Sequence, residues 1–145
     1  MDGNIHAPFF LAMIRLEPNT AGQSMYLTLY EYRRHLPAFT HYLMVITNST
    51  TYEKYALILD VQNENERYSL ITIGTNTDDA VNGSIAMAIV GQYRYTIYGQ
   101  NSDTNLDQNN ATVVGEVENG VLWILNTDEY FNAEEIDIPP FTIQD

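Results

Sequence analysis

Between Ala88 and Gln100 the chain reads Ala-Ile-Val-Gly-Gln-Tyr-Arg-Tyr-Thr-Ile-Tyr-Gly-Gln, and this alternation constrains the fold more than any other stretch. Successive side chains of an extended chain point to opposite faces. Tyr93, Tyr95 and Ile97 therefore share one face, while Gln92, Arg94, Thr96 and Tyr98 share the other. A strand with one buried and one wet face has this pattern.

Other stretches carry strand or turn signals. Tyr26–Tyr32 alternates Leu27 and Leu29 with Tyr26, Thr28, Tyr30 and Tyr32, which predicts a strand ended by Pro37. His41–Thr47 is apolar on both faces, as a central strand would be, and Asn48-Ser49-Thr50 is turn chemistry. Tyr52–Val61 and Arg67–Thr75 read as further strands around a polar turn, Asn63–Glu66. Asn76–Ser84 and Gly99–Asn110 read as loops. Thr112–Glu118 and Val121–Asn126 flank Asn119-Gly120, which predicts a tight hairpin because both turn residues need positive φ. Trp123 is expected to cap or fill the core. No stretch carries a convincing helical period.

An apolar lead-in, Gly91, then Tyr93 and Tyr95 at alternate positions resembles the start of strand F in immunoglobulin-like domains. The resemblance implies that the Tyr93 hydroxyl turns back onto the backbone of the preceding corner. It places Tyr95 where antibody domains keep a disulfide cysteine, and this chain has no cysteine. Seven or so short strands with turn signals then give an all-β fold, an antiparallel immunoglobulin-like β-sandwich with irregular N- and C-terminal arms. A jelly roll or small barrel is the alternative. The expected division is an arm over 1–22, a sandwich over 23–126 and an extended arm over 127–145.

Both arms carry apolar residues that a solvated tail does not need. Phe9 and Phe10 lie in an apolar run that is either a first strand or a docking arm. Phe131, Ile136, Ile138, Phe141 and Ile143 are interleaved with Asp128, Glu129, Glu134, Glu135 and Asp137, and Pro139-Pro140 forces an extended path. These seven apolar side chains are the predicted interface with a neighbour, either another protein or a second copy of the chain.

Net charge and motifs narrow the function. With 19 acidic against 6 basic residues the net charge is −13, a surface that repels phosphate backbones, so nucleic acid is not an expected ligand. Only acidic Asp2 precedes the first apolar run, and no stretch approaches the roughly 20 apolar residues of a membrane span. Neither a secretory leader nor a membrane partner is expected. Absent cysteines exclude thiolate metal sites, and His6, His35 and His41 lack metal-ligand spacing. Asp103, Asn105, Asp107 and Asn109 alternate like the start of a calcium loop. That loop would need Gly where Gln108 stands and Glu where Val114 stands, so Asx turns are expected instead. No nucleophile elbow, phosphate-binding glycine loop or rigidly facing carboxylate pair occurs. The expectation is a protein without cofactor, metal or catalytic residues. The tyrosines suggest one other function, a carbohydrate-binding module that stacks sugars on Tyr26, Tyr30 and Tyr32.

Tyr93–Asp107, the Val-Glu-Asn-Gly-Val-Leu-Trp stretch after it, Leu27–Glu31 and the Tyr-Leu-Met-Val-Ile-Thr-Asn strand together resemble small virion proteins of short-tailed phages of gut bacteria, the crAss-like group. The similarity spans roughly residues 25–125. It implies a non-enzymatic structural component, an auxiliary (decoration) or fibre-attachment protein on the capsid. Its partners would be capsid or other virion proteins, and it would be assembled into the virion in the host cytoplasm.

Overall fold

The computed structural model describes residues 12–126 of the chain. Its strands are β1 (Ala12–Leu16), β2 (Gln23–Leu27), β3 (His41–Asn48), β4 (Lys54–Ile58), β5 (Asp60–Glu64), β6 (Ser69–Ile73), β7 (Gly91–Gln100) and β8 (Val113–Ile124). They form two sheets, ordered β1-β8-β7-β3-β4 and β2-β6-β5. Every pairing is antiparallel except that of β1 with β8, which is parallel. One core lies between the sheets. Ile14, Tyr42, Met44, Tyr93 and Leu122 enter it from the larger sheet and Ile71 and Ile73 from the smaller. The all-β class expected from the alternation is therefore the class observed.

The Tyr-rich strand behaves as its pattern requires. Tyr93, Tyr95 and Ile97 are buried, and Gln92 and Arg94 are exposed. Gly91, with φ +143°, turns the chain into the strand. The Tyr93 hydroxyl donates to the Ile89 carbonyl at 2.8 Å, closing the corner just upstream. β3 is buried along most of its length because β7 and β4 flank it. At its end the Asn48 side-chain oxygen accepts from the Thr50 and Thr51 amides, making the expected turn.

Several expectations are corrected. The strand expected over Tyr26–Tyr32 is shifted: β2 ends at Leu27, and Tyr30–Arg33 is a single helical turn. Leu27 and Leu29 are both buried, so their alternation is real, but the chain turns after them and brings Arg33 to Glu64 and the Phe39 carbonyl. The run Tyr52–Val61 is not one strand. It changes sheets at buried Leu59, whose amide bonds to the Tyr42 carbonyl, so β4 and β5 belong to different sheets.

Asn119-Gly120 makes no hairpin. β8 runs straight through both residues, and neither has positive φ. Gly120 pairs with Tyr95 on one side and Ala12 on the other, so tertiary pairing overrides the local turn signal. Trp123 does not fill the core. Buried Leu122 and Ile124 take that face, and half-buried Trp123 lies on the opposite one. Ala12–Leu16, within the stretch read as an irregular arm, is a regular edge strand.

Candidate interaction surface

Polar side chains gather first where the two sheets meet. The Glu64 carboxylate accepts from Arg33 Nη1 at 2.7 Å, from the Tyr42 hydroxyl at 2.5 Å and from Ser69 Oγ at 2.6 Å. Arg33 also donates to the Phe39 carbonyl at 2.5 Å, and its guanidinium lies 4.4 Å from the centroid of the Phe39 ring. Burial, reinforced by the bond to Glu64, pushes the Tyr42 phenol well above its ordinary pKa. A second lock lies along the larger sheet, where the Tyr95 hydroxyl donates to Glu118 at 2.6 Å. Burial raises the Glu118 carboxyl above the usual range, while the bond from Tyr95 acts in the other direction. These groups spend their protons and lone pairs on one another. The first cluster ties the two sheets together, and the second ties β7 to β8 within the larger one.

The Asp103–Asn109 loop is built from Asx turns, as expected. Asn105 Oδ1 accepts from the Asp107 amide and Asp107 Oδ1 from the Asn109 amide. Asn105 Nδ2 also donates to Gln100 Oε1, and Gln100 Nε2 to the Asn105 carbonyl, which pins the loop to the end of β7. Among the described residues no group of three His, Asp or Glu side chains could hold a metal.

The tyrosine stripe proposed for sugar stacking does not form. Tyr26 lies on β2, exposed and edge-on to Tyr68, whereas Tyr30 and Tyr32 lie in the helical turn. Phe9, Phe10, Phe131, Ile136, Ile138, Phe141 and Ile143, the predicted interface, fall outside the described residues.

What the structure does bring together lies on the outer face of the larger sheet. Thr47 on β3 pairs with Arg94 on β7 and with Lys54 on β4, so two cations flank it in one row. Both are exposed, and the Arg33–Glu64 ion pair lies elsewhere. One row along, Val45 pairs with Thr96 and Ala56. Two adjoining concavities share Val45, Lys54 and Gln108. Arg94, Thr96 and Tyr98 line one, and Ala56, Leu106 and Asp107 the other. The result is a shallow trough with a small apolar floor, a polar loop as one wall and cations at its end. The sequence placed Arg94 on the wet face and Lys54 in a strand, but the register that sets them side by side comes only from pairing.

No protein-family model matches the chain, and neither a curated protein nor a solved structure matches it.

Proposed function

We propose that this chain is a non-enzymatic structural protein of a phage particle, an immunoglobulin-like sandwich serving as an auxiliary or fibre-attachment component of the capsid. The immunoglobulin-like reading is supported by the strand order, by a first strand running parallel to the last, and by the bond from Tyr93 to the corner backbone. The observation that carries the functional reading is the use made of the buried and half-buried polar groups. Glu64, Arg33, Tyr42 and Ser69 are committed to joining two sheets, and Tyr95 and Glu118 to each other. What the fold offers a partner is its faces and the apolar, acidic segment beyond β8. The particle assignment rests on the resemblance of the Tyr93–Asp107 stretch and its flanking strands to small virion proteins.

The test is the composition of particles from the cell that makes this chain. Density-gradient-purified particles are expected to hold it in fixed proportion to the shell protein, by quantitative mass spectrometry. Its recovery only in the particle-free fractions would overturn the proposal.

A further inference from the structure

The trough on the larger sheet carries an inference that rests on the assembly reading above. We propose that the face around Lys54, Thr47 and Arg94 docks the acidic, apolar segment 127–145 of a second copy of this chain. Charge is the first reason. The chain has 6 basic residues against 19 acidic ones, and two of the six stand on either side of Thr47 on one exposed face. Like charges held close on a surface repel, and an arriving carboxylate relieves that repulsion. The segment carries Asp128, Glu129, Glu134, Glu135, Asp137 and Asp145.

Shape and pattern are the second reason. Val45 and Ala56 floor the trough, and Leu106, 38 % exposed, stands at its rim. Lys and Arg stems lie along apolar surface with their charged heads above it. Glu135-Ile136-Asp137-Ile138 alternates carboxylate and apolar side chains. In an extended chain Glu134, Ile136 and Ile138 share one face, so the isoleucines meet the floor while Glu134 points toward the cationic end, and Glu135 and Asp137 stand on the outer face. Pro139-Pro140 restricts the segment before it docks and so lowers its ordering cost.

Chain direction is the third. β8 ends at Ile124, opposite Gly91, at the same end of the sheet as Arg94. To cover its own trough the chain would have to reverse there. Continued in the direction of β8, the segment 127–145 would run away from its own trough and toward a neighbour. Its 19 residues span up to roughly 60 Å when extended, ample to cross to a neighbour.

The test uses full-length proteins and sedimentation velocity over a concentration series. Wild type is expected to self-associate, less so as salt rises. A face variant, Lys54→Glu with Arg94→Glu, and an arm variant, Glu134→Lys, Glu135→Lys and Asp137→Lys, should each weaken self-association by about tenfold or more. Mixing the two should restore association, because the intact arm of one meets the intact face of the other. A chain carrying all the changes should self-associate again. Circular dichroism melts check folding, and Lys54→Gln with Arg94→Gln replaces the face variant if that one unfolds. A folded face variant that associates like wild type, or a mixture that fails to associate, overturns the docking site alone. A wild type that stays monomeric, with the arm on its own trough or nowhere, overturns the second-copy proposal and the homotypic part of the assembly reading, whereas absence from particles defeats the virion reading.

Discussion

The Tyr42 hydroxyl donates to the Glu64 carboxylate at 2.5 Å and so joins β3 of the larger sheet to the end of β5 in the smaller one. Ser69 and Arg33 bond to the same carboxylate. Truncating it leaves two hydroxyls without their acceptor and the guanidinium with only the Phe39 carbonyl and the Tyr42 oxygen. Glu64→Ala should therefore lower the unfolding free energy by roughly 2–4 kcal/mol, the range for charge-assisted bonds at a partly shielded site. Glu64→Gln keeps one acceptor oxygen and should cost less, about 1 kcal/mol. Urea unfolding of both variants measures this. Equal losses, or no loss from the alanine, would show that the carboxylate does not join the sheets.

Gly99 is required by the Phe39 ring. A β-carbon at Gly99 would come within 2.6 Å of Phe39 Cδ2 and Cε2. The ring has little room to retreat, because it is buried, packs edge-on against Tyr42 at 5.3 Å and lies under Arg33. Gly99→Ala should destabilise by about 1–3 kcal/mol through overpacking. The same change in a Phe39→Leu background should cost clearly less, since contacting residues are not additive. Equal costs in both backgrounds would mean that the strain lies elsewhere.

Tyr93→Phe keeps the buried ring and removes one bond to the Ile89 carbonyl. The expected loss is about 1 kcal/mol, read from the midpoint of denaturant unfolding at unchanged slope. A variant as stable as wild type would mean that water serves the Ile89 carbonyl equally well.

What was legible in the sequence was local. The alternation of Tyr93, Tyr95 and Ile97 specifies a half-buried strand, and the Asn and Asp spacing of the Asp103–Asn109 loop specifies turns that bond their own backbone. What was not legible depends on distant partners. Asn119-Gly120 carries a hairpin signal, yet β1 and β7 on either side of β8 stabilise an unbroken strand. Tyr26–Tyr32 alternates like a strand, yet the chain turns over Tyr30–Arg33, where Arg33 reaches Glu64, 31 residues away. The pairing of Arg94 and Lys54 across Thr47 follows from ladder register, which a one-residue slip would invert.

Glu118 makes stability depend on pH in a direction opposite to that of a salt-bridged carboxylate. It lies opposite Ile97, beside the irregularity in the β7–β8 ladder, and accepts from the Tyr95 hydroxyl at 2.6 Å. Burial raises its pKa above the unfolded value, so the folded protein holds the proton more tightly than the unfolded chain. Its stabilising contribution is fully present below the unfolded carboxyl pKa and is lost as pH rises through the folded value. Above that value the folded state carries a half-desolvated carboxylate, which the Tyr95 bond only partly offsets. Glu118→Gln keeps an acceptor for Tyr95 and removes the charge. The variant should gain stability relative to wild type as pH rises through the window above the ordinary carboxyl range, and the difference should level off above it. Taking the difference between the two proteins cancels the other carboxylates, which titrate alike in both. Urea unfolding at a series of pH values measures it. A stability difference that does not change with pH, or that turns against the glutamine as pH rises, would mean that Tyr95 stabilises the ionised carboxylate more than burial penalises it.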